Sequence, residues 1–289
     1  MRLPKTRLFD YTTPGKGVSK DEKPKKGIAL FWDILVRRFW KLVSLNFLYI
    51  VFSIPALVIG WFIIAFLTSS IMAAFFPEVA INMEQSAETG QALSQMCLYI
   101  TCFIFSIFGS GAATAGVTKV IRNYCLDRHS WVWADFWSTF KKHFFKGIVV
   151  YVIDMLFLSV LTVNFCFYGI YAEGSIVSYL LQGFMALIFF IFFLMHAYIY
   201  PIMVTFPKKK VWEIYKNAFI LSMGKLPVTF ASMALCALVC LIIISLAFFV
   251  TIYAMLLIPI VLFAFIVYLN LFITYPMVQK YMGKKRDEE

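Results

Sequence analysis

Every lysine and arginine of this 289-residue chain falls in one of four segments, and long apolar stretches separate those segments. The basic segments are residues 2–41, 119–146, 208–225 and 280–286. Each stretch between them is long enough to cross a bilayer, since a membrane-spanning helix takes about 20 residues. Cytoplasmic loops of membrane proteins concentrate Lys and Arg, so the pattern predicts both the membrane spans and their orientation.

Composition supports lipid as the solvent for much of the chain. Apolar residues make up 62% of it and aromatic residues 19%, more than one water-soluble core of this length can bury. The net charge of +11 is dispersed through several inter-helix segments. Attraction to an anionic membrane surface explains that charge, and we expect no nucleic-acid partner.

The predicted fold is an all-α polytopic membrane protein with six transmembrane helices arranged as three hairpins and both termini in the cytoplasm. Cytoplasmic amphipathic connector helices precede the hairpins. Residues 1–27 form a polar basic segment, 28–279 the transmembrane domain and 280–289 a charged tail, while 71–92 form the main outer loop. The predicted spans are residues 43–70, 93–119, 147–171, 176–205, 227–249 and 254–278.

Each connector carries tryptophan, an early acidic residue and later basic residues, as in Trp32-Asp33 before Arg37. That order suits the helix dipole, and the repetition indicates three copies of a connector followed by a hairpin. Two interpretations stand for the aromatic residues: a docking surface for a protein partner, or anchoring at headgroup depth. The candidate docking residues are Trp32, Trp40, Trp133, Trp137 and Trp212.

Ionisable residues inside membrane spans are costly and mark candidate functional sites. Asp154 in the third span and His196 in the fourth both lie roughly 12–15 Å from the cytoplasmic edge, at 1.5 Å per helical residue. Antiparallel neighbouring helices would bring them together, either for proton coupling or polar-ligand binding, or as a structural hydrogen bond. Asn270 lies at a position in the sixth span that is similar to that of His196 and completes the candidate intramembrane polar site.

Small residues are concentrated near the end of the second span. Gly109 with Ala113 and Ala112 with Gly116 have the small-xxx-small spacing that lets helix backbones approach closely. We expect helix packing here; a pore lining is the alternative, although the potassium-filter pattern TVGYG does not occur.

The sequence contains no Walker P-loop, HExxH, GxSxG or pair of acids at catalytic spacing, so we expect no enzymatic activity. None of the six cysteines forms a CxxC pair. We therefore expect neither a metal site nor a cofactor.

Several motifs resemble the YesL family, a group of Gram-positive bacterial membrane proteins of unknown molecular function. The amino-terminal ones are Phe9-Asp10-Tyr11, Pro14-Gly15-Lys16-Gly17-Val18, Lys20-Asp21 and Pro24-Lys25-Lys26. Further motifs are Arg38-Phe39-Trp40-Lys41-Leu42, Leu45-Asn46, Leu48-Tyr49 and Ile54-Pro55, then residues 109–116 and 136–145. The resemblance implies a location in the bacterial cell membrane. Because such proteins are often encoded beside carbohydrate ABC importers, it also implies an accessory or regulatory role in sugar uptake.

Two functional hypotheses follow. The first is a non-enzymatic accessory protein of a carbohydrate ABC importer, which docks through the connector tryptophans and the small-residue face of the second span. The second is an autonomous small-molecule or ion transporter in which Asp154 and His196 lie on the permeation path. The permease subunit of an importer is a weaker fit, because residues 207–226 lack the Glu-Ala-Ala and Gly signature of a coupling helix.

Overall fold

The computed structural model describes residues 27–75, 110–171, 175–250 and 252–283. Over these ranges the secondary structure is helical and contains no strand, which confirms the predicted all-α class. The helices are α1 (Ile28–Phe75), α2 (Ala112–Cys125), α3 (Val132–Lys142), α4 (Phe144–Tyr171), α5 (Ile176–Thr205), α6 (Val211–Gly224), α7 (Leu226–Val250) and α8 (Ile252–Gly283).

Four of these helices contain segments that are long and apolar enough to cross a membrane: Ile28–Leu67, Phe144–Leu161, Ile176–Thr205 and Leu262–Met282. A fifth candidate combines α6 with residues 226–242 of α7, although the two parts are bent by 98°. The chain is therefore an integral membrane protein. The six-span topology stays a prediction, because most of the second predicted span, residues 93–109, lies outside the described residues, as do most of the outer loop and the charged tail.

The first predicted connector is not a separate helix. Residues 31–41 and the predicted span 43–70 belong to the single helix α1, which continues through Pro55. No glycine or proline lies between Ile28 and Ser53, so no residue there favours a break. The second and third connectors are separate helices, α3 and α6, and only His143 or Lys225 separates each from the long helix that follows.

By its contacts the chain divides into residues 1–37 and residues 38–289. Within the first unit, the described part is the first turns of α1, where Arg37 pairs with Asp33 at 3.6 Å. This i, i+4 pair is the one expected from the connector pattern.

In the second unit, α5 lies at the centre and contacts α2, α4, α6, α7 and α8. Its residues Leu194, Tyr198, Ile199 and Ile202 are fully buried, and nearly all of α2 is buried as well. Large apolar side chains on the outer faces, such as Phe66 and Leu180, are exposed. This is the distribution expected of a bundle whose outer surface contacts lipid tails.

Two basic side chains close the carboxyl end of α5. The Arg122 guanidinium donates to the Val204 carbonyl at 3.4 Å and to Thr205 Oγ1 at 3.3 Å. Lys146 Nζ donates to the Pro207 carbonyl at 2.5 Å and to the Lys209 carbonyl at 2.8 Å. Cations at this position satisfy the free carbonyls and complement the helix dipole. These bonds bring together the last turn of α2, the first turn of α4 and the last turn of α5. We call this region, with the interacting side chains of Lys119, Arg128, Lys142 and His143, the basic junction.

The backbones of α2 and α4 cross at two glycines. Gly111 has a φ of 69°, in the left-handed region, and a Cβ there would overlap the Gly147 carbonyl. A Cβ on Gly147 would in turn overlap the backbone nitrogen of Ala112. Only glycine allows this approach, so the crossing depends on both residues.

Candidate functional site

A carboxyl, an imidazole and a phenol meet inside the bundle. Asp154 of α4 faces His196 of α5, with Oδ2 and Nε2 3.1 Å apart. The hydroxyl of Tyr215, on α6, donates to Asp154 Oδ1 at 2.7 Å. His196 Nδ1 lies 3.0 Å from the Phe192 carbonyl one turn earlier in α5. Three helices therefore contribute one side chain each, and we call Asp154, His196 and Tyr215 the polar cluster.

The geometry of His196 limits where protons can lie in the polar cluster. A carbonyl only accepts, so the contact with Phe192 requires a proton on Nδ1 of His196. The other ring nitrogen, Nε2, faces Asp154 Oδ2 at 3.1 Å. The cluster thus places a carboxyl and an imidazole, an acid and a base, side by side.

The polar cluster is buried in the protein. The exposed fraction is 0% for Asp154 and 6% for His196. The rings of Phe157 and Phe192 lie 4.0 Å apart, and the ring of Tyr215 stacks on Phe192 at 6.5 Å. Polar groups cost free energy when they lose water without gaining partners, so the contacts within the cluster are needed to stabilise this arrangement.

Further hydroxyl groups extend the polar cluster toward α1 and α2. Tyr200 of α5 interacts with Asp154 and is within hydrogen-bonding reach of Thr114 in α2. Tyr49 of α1 is within reach of the same threonine and of two serines. Those serines, Ser53 and Ser110, bond to each other at 2.7 Å. A buried polar path thus runs from α6 to α1.

Sequence reasoning missed the tyrosines of this path. The chain has 15 tyrosines among its many aromatic residues, so nothing in the pattern singles out Tyr49, Tyr200 or Tyr215. Tyr215 also lies in a connector that was expected to rest at the membrane surface. Its one available signal is that it lies beside the apolar residues Ile214, Ala218 and Leu221 of α6, which are buried.

Asn270 does not join the polar cluster. Its Oδ1 accepts from the Ser232 hydroxyl at 2.9 Å, and its Nδ2 donates to the Ala197 carbonyl at 3.2 Å. It therefore joins α8 to α7 and α5. Asn46 has a similar role between α1 and α8, since its Oδ1 accepts from the Ala264 backbone N–H at 2.7 Å.

The five candidate docking tryptophans differ in their environments. Trp40 and Trp212 are each 78% exposed, and Trp133 is also exposed. Trp137 is half-buried in an aromatic group with Phe52 of α1, and Lys141 Nζ lies 4.7 Å from its ring centre. Trp32 is exposed in the first unit.

The small-residue segment packs against two helices. Ala112 and Ala113 are buried, and Ala112 lies at the crossing with Gly147 of α4. A Cβ on Gly116 would lie 2.7 Å from the Phe136 ring of α3. Gly109, the first residue of the predicted pattern, lies outside the described residues.

Comparison with known proteins gives a family match over one segment. Residues 92–165 match a family described as "Protein of unknown function, DUF624". That segment is similar to a family of unknown function. It covers about a quarter of the chain and contains Gly111, Gly147 and Asp154, while His196 and Tyr215 lie beyond it. No curated protein and no solved structure matches the chain.

No group of three or more metal-ligating residues occurs in the described ranges. Among the cysteines that the structure describes, Cys125, Cys236 and Cys240 are free thiols. Burial raises the pKa of the Cys125 thiol to about 12, so it stays protonated at neutral pH.

Proposed function

We propose that this protein is a non-enzymatic accessory or regulatory subunit of a membrane transport complex, with a carbohydrate ABC importer as its partner. It would lie in the bacterial cell membrane with both termini in the cytoplasm. The resemblance to YesL proteins supports the importer as partner, and the placement of Lys and Arg supports the orientation. The structural observation that carries the proposal is that α6 has one buried face and one exposed face.

One face of α6, which includes Ile214, Ala218 and Leu221, is buried against the bundle, and the other face is exposed. Tyr215 reaches the buried carboxyl of Asp154, while Trp212 on the same helix is 78% exposed. Exposed tryptophan near basic residues is a favourable binding anchor, because its large ring loses little conformational entropy on binding. A partner that contacts Trp212 would thus act on a helix that is linked to the core.

The experiment is affinity purification from native membranes in a mild detergent, with co-purifying proteins identified by mass spectrometry. We expect importer subunits with the wild-type protein and at least fivefold less of them with Trp212→Ala, which removes a docking anchor (about 1 kcal/mol or more). Trp61→Ala is the matched control, because Trp61 is the one tryptophan away from the basic segments. Equal recovery of importer subunits with both variants, or none with the wild-type protein, would reject the proposal.

The polar cluster favours a second candidate function, proton-coupled transport through the bundle. Asp154 and His196 lie side by side at membrane depth, and an intramembrane acid beside a base is a common element of proton relays. The test is proton flux into proteoliposomes that contain a pH-sensitive dye, driven by a potassium diffusion potential. We expect Asp154→Asn to abolish the flux while the melting temperature stays near that of the wild-type protein, since asparagine keeps an acceptor for Tyr215.

The flux measurement needs a control that leaves the polar cluster intact. His129→Gln removes an exposed histidine of the segment between α2 and α3 and should leave the flux unchanged. Wild-type flux no greater than that of protein-free liposomes would exclude this function.

A further inference from the structure

The basic junction collects like charges from several parts of the chain. The ammonium of Lys119 interacts electrostatically with Arg122 of its own helix, with Arg128 of the following loop and with Lys142 of α3. Lys146 of α4 lies in the same region, where it and Lys142 both act on His143. Like charges held together by tertiary structure raise the free energy of the folded chain, unless an anion offsets them.

Within residues 119–146, all of which the structure describes, acidic side chains only partly offset these charges. The carboxylate that interacts with Lys119 is Asp135, whose Oδ2 already accepts from the Ser130 hydroxyl at 2.5 Å and from the Trp131 backbone N–H at 3.1 Å. Residues 119–146 contain six basic side chains and two acidic ones. The junction therefore keeps a clear excess of positive charge.

Two buried nitrogens at the junction have no hydrogen-bond partner among the described residues. They are Nε of Arg122 and Nδ1 of His143, and these residues are only 9% and 3% exposed. Burial, together with Lys142 and Lys146, lowers the pKa of His143 to about 4. The imidazole is therefore neutral at physiological pH, and a neutral imidazole can still donate one hydrogen bond. Both nitrogens suit an acceptor-rich anion.

The location of the basic junction relative to the membrane indicates which anion it would bind. The junction lies at the start of α4, a helix that is long enough to span the bilayer. Phe145, the second residue of α4, is highly exposed. Trp131, just before α3, is exposed too. Cations beside exposed aromatic rings at the end of a span lie at the depth of lipid phosphates, and basic sites of this kind between helices bind anionic headgroups.

We propose that the basic junction binds the headgroup phosphate of an anionic phospholipid. Lys119 and Lys142 supply the accessible charge, and Arg122 and His143 supply buried hydrogen-bond donors. The acyl chains would lie along the exposed aromatic start of α4. This site is independent of the docking and transport functions proposed above.

The test is a titration of the purified full-length protein, in an uncharged detergent, with phosphatidylglycerol or with phosphatidylcholine, and bound lipid is counted by native mass spectrometry. We expect preferential binding of phosphatidylglycerol and at least tenfold weaker binding for the double variant Lys119→Gln/Lys142→Gln, given about 1 kcal/mol for each basic residue near a lipid surface. The control Lys216→Gln/Lys280→Gln removes the same charge from exposed sites elsewhere, and it should change binding less than twofold.

Three results would overturn the proposal. They are no preference for phosphatidylglycerol, equal weakening of binding in both double variants, or a rise in melting temperature with inorganic phosphate alone that equals the rise with phosphatidylglycerol. Melting temperatures in phosphatidylcholine verify that the variants are folded. If Lys119→Gln/Lys142→Gln is not folded, Lys142→Gln alone serves, since this side chain is exposed; it should weaken binding about fivefold, and unchanged binding would reject the site.

Discussion

Replacing Gly147 by alanine should lower the free energy of unfolding by about 3 kcal/mol or more. The new methyl group would overlap the backbone nitrogen and Cα of Ala112, and backbone atoms of a packed helix cannot rotate away as a side chain can. Relief therefore requires α2 and α4 to separate, which disturbs the basic junction and the contacts of α2 with α5. The measurement is reversible unfolding in mixed micelles, followed by circular dichroism as the fraction of SDS rises.

Gly183→Ala is the matched control for this prediction. Gly183 is also a helical glycine in a long apolar helix, but a Cβ there would have no atom within 4 Å. Alanine should be neutral at this position or stabilising by up to about 1 kcal/mol, because it has the higher helix propensity. Similar effects of the two substitutions would show that the α2–α4 crossing is not as close as the structure has it.

The second large effect is expected for Asp154→Ala, which should lower the free energy of unfolding by about 2–4 kcal/mol. The substitution removes the acceptor of the Tyr215 hydroxyl and the group facing His196 Nε2, and it leaves both buried. Loss of the carboxyl should also free α6 from the bundle. The same SDS titration gives the free energy, and limited proteolysis at Lys208 or Lys216 reports the release of α6.

Two further variants separate the contributions to this effect. Asn164→Ala removes another polar side chain of α4, one whose Nδ2 donates to the Val160 carbonyl of its own helix at 2.7 Å, and should cost less than about 1 kcal/mol. Tyr215→Phe removes a single hydroxyl and should cost about 1 kcal/mol. If Asp154→Ala is no more destabilising than Asn164→Ala, the polar cluster does not stabilise the fold.

Much of the secondary structure follows from hydropathy. The predicted span 176–205 coincides with α5, and the spans predicted at 147–171 and 227–249 lie within α4 and α7. Lipid requires a spanning helix to satisfy its own backbone and to be apolar over about 20 residues, so local composition is sufficient to find it. The continuity of α1 was missed, because an amphipathic segment followed by an apolar one resembles two helices when only the pattern is considered.

Part of the candidate site could also be located without tertiary structure. The rise of a helix is fixed at 1.5 Å per residue, so counting from the basic flanks put Asp154 and His196 at one depth. Counting does not give the rotation of each helix about its axis. For that reason Asn270, at a similar depth, was grouped with these residues, whereas the structure turns it toward Ser232 and Ala197.

The sequence by itself determined that this chain is helical, that it lies in a membrane and where its charged segments fall, because each of these depends on local composition and on the cost of burying polar groups in lipid. Only the tertiary structure decided that Tyr215 reaches Asp154, that Gly111 meets Gly147, and that Arg122 and Lys146 close the end of α5. Those contacts join residues distant in the sequence, and they depend on how the helices rotate and cross. Rotation and crossing result from packing over the whole bundle, which no short segment of sequence specifies.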